Sequence, residues 1–369
     1  MSRFENKPRL LAPPRFDTVF LILGRACNLS CQYCLQHNVA HDKMPATVNQ
    51  DVIDLLRGLA ERQGRLRVQF YGGEPFVYAE TMHDVVAQLA DVRDKLVLTV
   101  ITNGKALDDA DVDWCNANLN GVAVSWDGPA SAVTRGYDVV AERREQLLRL
   151  NNLTFSAVIS ARTMPLDVMD GVDAFNADYA PRHNGALAGI NLDELLCTTT
   201  EHAELADVDY DKLRTQVQTI CDEYVRYMCN GEAMSQSRLS WITGKVNNVK
   251  HGVRCGVGDR ARCGNGYTVL NVDGDGVLYA CHNTALKVGT VNDAWSDVLR
   301  RVVLADATPR HIAGPCGTCG VAIMCQNGCP LVSDEDRQRF YCRLVATIDE
   351  PVIDAVLEAG RRLGGDVGE

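Results

Sequence analysis

Short apolar runs alternate with amphipathic stretches over the first half of the chain. Compact runs rich in branched apolar residues predict strands, and apolar residues that recur every three or four positions predict helices. The predicted strands are Thr18–Leu23, Arg67–Tyr71, Leu96–Thr102, Gly121–Trp126, Thr154–Ser160 and Ala188–Asp193. The predicted helices lie near Asn49–Glu61, Glu80–Ala90, Asp108–Asn118, Val139–Leu150 and Leu166–Ala177. Successive strand–helix units fold as a parallel sheet with helices outside, so we predict the α/β class and an open, partial (β/α)6 barrel of TIM-like design.

The second half of the chain has a different pattern. A long helix is predicted at about Asp209–Met228, and strands at Tyr267–Asp273 and Gly276–Ala280 are predicted to form a hairpin. These elements predict the following division of the chain: an N-terminal segment 1–17, a barrel 18–230, a linker 231–254, a small cysteine-rich domain 255–345 and a C-terminal helix 346–369.

Composition narrows the class of protein. The chain has 369 residues, of which 46% are hydrophobic and 23% charged, as in an ordinary globular protein. The net charge of −11 and the lack of a basic cluster argue against nucleic acid as a partner. No signal core or membrane-length apolar run is visible, so we predict a cytoplasmic protein without a membrane partner. Fifteen cysteines in such a chain are better explained as metal ligands than as disulfides.

Three cysteines follow the first predicted strand in a C-x3-C-x2-C pattern, Cys27, Cys31 and Cys34. Because a four-iron cluster usually takes four protein thiolates, three of them leave one iron open to a small molecule. The alternative is a structural zinc site, in which His37 or His41 supplies the fourth ligand.

Polar residues also follow the next three predicted strands, where the chemistry of parallel barrels is found. The second strand leads into Gly72-Gly73-Glu74-Pro75, where two glycines allow a close backbone approach and a carboxylate can pair with an ammonium group. The third strand ends in Asn103-Gly104 and the fourth in Ser125-Trp126-Asp127-Gly128. The alternative for each of these elements is ordinary turn chemistry.

The cysteine spacing, with Tyr33 before the third cysteine, and the unchanged G-G-E-P element resemble the radical S-adenosylmethionine (radical SAM) superfamily. The resemblance implies that the open iron chelates the amino and carboxylate groups of SAM. It also implies reductive cleavage of SAM to methionine and a 5′-deoxyadenosyl radical, which takes a hydrogen from the substrate. A family arginine that follows the fourth strand is matched by Arg135, with Arg143 as the alternative. The cofactor-binding residues implied are Tyr33, Gly72, Gly73, Glu74, Pro75, Asn103, Ser125 and Arg135.

Seven later cysteines, with an eighth shortly upstream, resemble the SPASM extension of radical SAM enzymes. Family topology implies a first auxiliary 4Fe-4S cluster on Cys255, Cys263, Cys281 and Cys329. It implies a second on Cys316, Cys319, Cys325 and Cys342. With the SAM-binding cluster this makes three, although a zinc ribbon is the alternative at Cys316-x2-Cys319. The four cysteines left over are predicted to be structural: Cys115, Cys197, Cys221 and Cys229.

The resemblance implies a peptide or protein substrate, whose side chain is cross-linked or dehydrogenated, and a ferredoxin- or flavodoxin-type electron donor. The alternatives are a dehydrogenase of a small polar metabolite, a peptide epimerase, or a non-catalytic iron–sulfur or zinc protein. Anaerobic sulfatase-maturing enzymes, a branch of similar size, have an aspartate where this chain has His282. His282 is therefore a candidate catalytic base or, equally, a hydrogen-bond donor to a cluster sulfur.

The N-terminal segment bears on how a substrate would be recognised. Only seventeen residues precede the first predicted strand, which is too few for a leader-peptide-binding domain. If the substrate is a ribosomal peptide, we expect the barrel mouth, the extension or a separate leader-binding protein to recognise it.

Overall fold

The computed structural model describes residues 15–36, 47–196, 200–255, 268–305, 315–325, 328–329 and 331–364. Its strands belong to one mixed, mainly parallel sheet of nine strands. The strands are β1 Thr18–Gly24, β2 Leu66–Gly72, β3 Leu96–Thr102, β4 Gly121–Ser125, β5 Leu153–Ile159, β6 Gly189–Glu194, β7 Val269–Asp273, β8 Val277–Tyr279 and β9 Lys287–Thr290. The predicted α/β class is confirmed, and the six predicted strands of the first half lie within two residues of their predicted ends.

Helices lie between and after these strands. They are α1 Gln50–Gln63, α2 Ala79–Gln88, α3 Asp109–Asn118, α4 Ser131–Thr134, α5 Val139–Glu142, α6 Arg144–Arg149, α7 Pro165–Arg182, α8 Tyr210–Asn230, α9 Gln236–Cys255, α10 Trp295–Ala305, α11 Ala322–Cys325, α12 Asp334–Asp336 and α13 Cys342–Gly364. The single helix predicted at Val139–Leu150 is wrong, because the backbone of Arg143 (φ −130°, ψ 23°) leaves the helical range and separates α5 from α6.

Local sequence signals begin and end several of these helices. The Asn49 side chain accepts from the backbone N–H of Asp51 at the start of α1, and Gly64 ends this helix in the left-handed conformation (φ 73°). Asp108 and Asp111 form a reciprocal capping box at the start of α3. These caps explain why the helices begin where the polar pattern predicts them.

The chain divides into two compact units, and the predicted division into domains stays a prediction. The first comprises the described parts of 1–28, 35–123 and 264–309, and the second those of 29–34, 124–263 and 310–369. The boundary between the two units crosses β4. Each unit contains residues of both the predicted barrel and the predicted cysteine-rich domain.

In the first unit the strand order is β3-β2-β1-β7-β8-β9. Strand β1 is parallel to β2 on one side and to β7 on the other, with Phe20 opposite Asn271. The predicted hairpin is confirmed, since β7 and β8 are antiparallel with Asn271 opposite Tyr279. Strand β7 of the cysteine-rich region is therefore hydrogen-bonded to β1.

In the second unit β5 and β6 are parallel, and α7, α8, α9 and α13 pack beside them. The segment 231–254, predicted as a linker, contains most of the helix α9. Apolar residues of α9 such as Trp241 and Ile242 are buried in the same core as those of α8 and α13. Burial of this apolar face is the physical reason that the segment is helical. Among the described helices, none combines the length and the apolar character needed to cross a bilayer.

A buried ionic cluster joins three elements of the second unit. The Lys245 ammonium on α9 lies 2.6 Å from Glu194 Oε1 at the end of β6 and 3.1 Å from Asp349 Oδ1 on α13. The three side chains are only 10%, 7% and 2% exposed. Removal of the cation would leave two carboxylates close together in a site that water hardly reaches.

We expect K245M to lower the free energy of unfolding by about 3–5 kcal/mol, because it leaves buried charge without its cation. The matched control is R214M, which breaks the half-exposed Arg214–Glu350 pair between α8 and α13 and should cost about 1 kcal/mol or less. Urea unfolding followed by circular dichroism measures both. Equal losses in the two variants would contradict the stabilising role of the buried cluster.

Candidate active site

The loop that carries the first three cysteines leaves β1 and is joined at once to the end of β2. The backbone N–H of Gly73 donates to the Gly24 carbonyl at 2.9 Å, and that of Glu74 donates to the Ala26 carbonyl at 2.9 Å. A Cβ on Gly73 would lie 2.3 Å from the Ala26 oxygen, and one on Gly72 (φ 153°) would lie 2.1 Å from the Gly24 oxygen. Glycine is required at both positions because two backbones meet there.

Glu74 is buried directly behind this contact. Its carboxylate accepts from the Thr102 hydroxyl at 2.6 Å, from the Asn103 backbone N–H at 2.7 Å and from the Phe76 backbone N–H at 3.0 Å. Burial raises the pKa of Glu74, and the hydrogen bonds from Thr102 and Asn103 oppose that rise. Glu74 thus joins the end of β2 to the end of β3.

Asn103 continues the connection to the cysteine loop. Its side-chain amide donates to Asn28 Oδ1 at 2.8 Å and lies 3.6 Å from Cys27 Sγ. The Lys105 ammonium donates to the Asn28 carbonyl at 3.3 Å. Cys27 is an exposed residue, and the Asn103 amide is a hydrogen-bond donor beside its sulfur.

The second unit holds the other end of the loop through Asp127, at the end of β4. The Tyr33 hydroxyl donates a short hydrogen bond to this carboxylate, and the Thr134 hydroxyl donates to it at 2.6 Å. Arg135 pairs with Asp127 at 3.1 Å, and its guanidinium carbon lies 5.3 Å from the centre of the Tyr33 ring. The Gln32 backbone N–H donates to the Thr134 carbonyl at 2.9 Å. These contacts therefore fix the segment between Cys31 and Cys34.

Two residues predicted to contact SAM, Arg135 and Ser125, lie in the second unit. Arg135 is almost completely buried and is engaged with Asp127 and Tyr33. Burial raises the pKa of Tyr33 well above its ordinary value, so its hydroxyl stays protonated as a donor. Ser125 is half-buried at the end of β4. Contact of either Arg135 or Ser125 with SAM stays a prediction.

Asp127 is the residue whose role sequence reasoning missed. The sequence analysis gives it no role beyond its place in the Ser125-Trp126-Asp127-Gly128 element, yet it accepts hydrogen bonds from four residues, the fourth being the Val158 backbone N–H at 3.0 Å. One signal was present in the sequence: Asp127 follows an apolar parallel strand, where functional carboxylates are commonly placed.

His282 lies in the first unit, after β8. Its ring stacks on Phe20 with a 4.1 Å centroid distance and meets Tyr71 edge-on at 4.7 Å. Its Nδ1 lies 3.2 Å from Asn271 Oδ1. Burial, followed by the positive charge of Arg25, lowers the pKa of His282 to about 4. The ring is then neutral at pH 7, and a catalytic role for His282 stays a prediction.

The turn that contains His282 also presents Cys281. The Asn283 backbone N–H lies 3.4 Å from Cys281 Sγ, and the Tyr71 hydroxyl donates to Asn283 Oδ1 at 2.8 Å. A backbone N–H donor thus lies beside this sulfur, and a hydrogen bond from His282 to a cluster sulfur stays a prediction.

Five later predicted ligands belong to the second unit. Short backbone turns hold several of them: Cys319 N to Cys316 O at 3.3 Å, Gly328 N to Cys325 O at 2.7 Å and Val332 N to Cys329 O at 3.2 Å. Burial raises the pKa of Cys342, and the nearby Cys316 adds to that rise while Arg337 opposes it. The grouping of Cys316 with Cys342 on one cluster stays a prediction.

Other predicted ligands are not brought together in this way. Among the described residues, no three potential metal-ligating side chains are arranged to hold a single metal ion. The Cys255 side chain, Cys263, Cys197 and the alternative zinc ligands His37 and His41 lie outside the described residues.

The leftover cysteines that are described fit the structural role predicted for them. Burial raises the pKa of Cys115 and of Cys221 to about 12, so both thiols stay protonated in the core. Cys229 is half-buried beside the same core as Cys221.

Curated proteins resemble the chain over different lengths. The serine-type anaerobic sulfatase-maturating enzyme of Klebsiella aerogenes is 23% identical over 355 residues, which cover 87% of this chain and 82% of that protein. The radical SAM cyclopropyl synthase TigE of Paramaledivibacter caminithermalis is 23% identical over 211 residues. That match covers 50% of this chain and 43% of TigE, so the chain spans less than half of this relative.

Solved structures show the same fold. A structure of anSMEcpe with bound AdoMet has a TM-score of 0.65 at 17% identity and covers 93% of this chain and 99% of that chain. Another holds anSMEcpe with AdoMet and the Cp18Cys peptide, at a TM-score of 0.64 and 18% identity, with coverage of 93% and 99%. Streptococcus suis SuiB bound to its precursor peptide SuiA has a TM-score of 0.56 at 14% identity, with coverage of 85% and 72%.

The family model for the radical SAM superfamily matches residues 21–160. These residues run from β1 to the end of β5 and include the cysteine loop, the paired glycines and both buried carboxylates. Residues 21–160 of the chain belong to the radical SAM superfamily of enzymes.

Proposed function

We propose that the chain reductively cleaves SAM and oxidatively modifies a side chain of a peptide or protein, by cross-linking or dehydrogenation. The observation that carries the proposal is the double backbone contact of Gly73 and Glu74 with Gly24 and Ala26. Neither an ordinary turn nor a zinc knuckle needs two glycines pressed against the start of a cysteine loop. A cofactor bound jointly by the loop and the G-G-E-P element does need them.

We propose Cys27, Cys31 and Cys34 as the ligands of the SAM-binding 4Fe-4S cluster. A cluster held by these three thiolates would supply the electron for reductive cleavage of SAM, and thereby the radical that would take a hydrogen atom from the substrate. The residues of this chain orient the ligands. Asn103 places an amide donor beside Cys27 Sγ, and Asp127 holds Tyr33 between the other two cysteines. Donors to ligating sulfurs favour the reduced cluster.

The eight later cysteines are proposed to hold two auxiliary 4Fe-4S clusters, grouped as family topology implies. Fully ligated clusters suit electron transfer, since no iron is left open for SAM. We infer that they accept an electron from the substrate as product forms, and that a ferredoxin or flavodoxin supplies the cleavage electron. The backbone N–H of Asn283, 3.4 Å from Cys281 Sγ, supports a thiolate at Cys281.

The peptide substrate is proposed from full-length relatives. A sulfatase-maturating enzyme aligns over 87% of this chain, and two relatives of similar fold are bound to peptides in their structures. Recognition by a separate leader-binding protein remains part of this proposal.

We expect G73A to lower the rate of 5′-deoxyadenosine formation at least tenfold, because its Cβ would push the Ala26 carbonyl and the cysteine loop away. G58A is the matched control, since nothing lies within 4 Å of a Cβ on that helical residue. Chromatography of the anaerobic reaction measures both rates. Full activity in G73A would show that the close backbone contact is not needed for SAM cleavage.

We expect alanine at Cys27, Cys31 and Cys34 together to abolish 5′-deoxyadenosine formation and to remove about four irons per chain. C229A, which alters a half-buried cysteine outside the proposed ligand sets, should retain both. Persistent SAM cleavage in the triple variant would refute the assigned cluster.

We expect anaerobic co-expression with candidate short peptides to yield a peptide that has lost two hydrogen atoms, located by fragment ions in high-resolution mass spectrometry. Unchanged peptide mass together with robust SAM cleavage would contradict an oxidative peptide maturase. Repetition in deuterated water would then separate the alternatives, because epimerisation would leave a deuterium on the peptide, whereas a metabolite substrate would leave the peptide unlabelled.

A further inference from the structure

Arg25 joins the cysteine loop to the turn after β8. It lies two residues before Cys27 in the chain, and its side chain is buried although it is charged. One guanidinium nitrogen lies 3.3 Å from the Thr284 carbonyl oxygen, and another lies 3.2 Å from Gln36 Oε1. The guanidinium carbon lies 5.3 Å from the centre of the Tyr279 ring. The planar fork of arginine can make such bonds in two directions at once, which an ammonium group cannot reproduce.

The turn held by Arg25 is the one that presents Cys281. The Thr284 backbone N–H donates to the Cys281 carbonyl at 3.2 Å. The Asn283 backbone N–H lies against Cys281 Sγ at 3.4 Å. Because Thr284 is bonded to Cys281 on one side and to Arg25 on the other, fixing its carbonyl also fixes the backbone that carries the sulfur.

The charge of Arg25 acts on the same turn. Its guanidinium donates to the carbonyl of Thr284, three residues after Cys281, and Arg25 itself lies two residues before Cys27. A positive charge beside an iron–sulfur site favours the more negative, reduced state of the cluster. The buried charge of Arg25 is therefore close in the chain to Cys27 and hydrogen-bonded to the turn of Cys281.

We propose that Arg25 is a positioning residue that fastens the Cys281 turn to the Cys27 loop and raises the reduction potentials of the clusters at both sites. This inference rests on the proposed function, because it requires iron–sulfur clusters at these cysteines.

The test compares R25Q, R25K and R93Q in the reconstituted full-length protein. Arg93 is the matched control: in the same unit it also donates to carbonyl oxygens, Leu96 O at 3.0 Å and Asn118 O at 2.9 Å, and to the side chain of Asn120. Hydrogen exchange of the Asn283 and Thr284 amides reports the turn. We expect about tenfold or faster exchange in R25Q and R25K, and the wild-type rate in R93Q.

Redox titration followed by electron paramagnetic resonance measures the effect of the Arg25 charge on the reduction potentials of the clusters. A purely structural role of Arg25 would leave these potentials unchanged. We expect R25Q to lower the potentials of the SAM-binding cluster and of one auxiliary cluster. R25K, which keeps the charge, should retain potentials near those of the wild type, as should R93Q. If R25Q does not fold, R25K alone decides: faster exchange of the turn with retained potentials supports the proposal, and wild-type exchange overturns it.

Two results would overturn the inference while leaving the proposed function intact. One is wild-type exchange in R25Q and R25K, and the other is unchanged potentials in R25Q, each in protein that still cleaves SAM. If the wild-type protein itself shows no auxiliary cluster signal and no SAM cleavage, the proposed function fails instead.

Discussion

The candidate site depends on the close approach of two backbones, at Gly72–Glu74 and at Gly24–Ala26. Two N–H groups at the end of β2 donate to two carbonyls at the start of the cysteine loop, and any side chain on either glycine would collide with those carbonyls. The loop can therefore begin in one position only. No charged side chain takes part in this contact. It is made from backbone N–H and C=O groups, which must be hydrogen-bonded wherever they are buried.

Two buried carboxylates extend this constraint, one in each unit, by different electrostatic means. Glu74 is surrounded by neutral donors from Thr102, Asn103 and Phe76, and its pKa is raised by burial. Asp127 is paired with the buried cation Arg135. Neither carboxylate points freely into solvent. In the first unit Glu74 anchors the end of β2 to the end of β3, and in the second unit Asp127 anchors Tyr33.

The turn that carries Cys281 is connected to β1 through strands of the same sheet. Strand β7 is parallel to β1, so the turn after β8 lies in the unit that also contains Cys27. The contacts of Arg25, Tyr71 and Phe20 with this turn follow from that pairing. His282, placed among aromatic rings, becomes part of the packing that supports Cys281.

The sequence by itself determined the strand–helix order, the hairpin, the cysteine spacing and the paired glycines, because periodicity, turn chemistry and ligand spacing are local properties. It did not determine that 231–254 is a packed helix, that β7 joins β1, or that Arg25 reaches Thr284. Nor did it assign Asp127, whose partner Tyr33 lies 94 positions away. Only the tertiary structure decided these features, because strand pairing and burial bring together residues that are distant in the chain, and the partner of a buried charge depends on what that pairing places beside it.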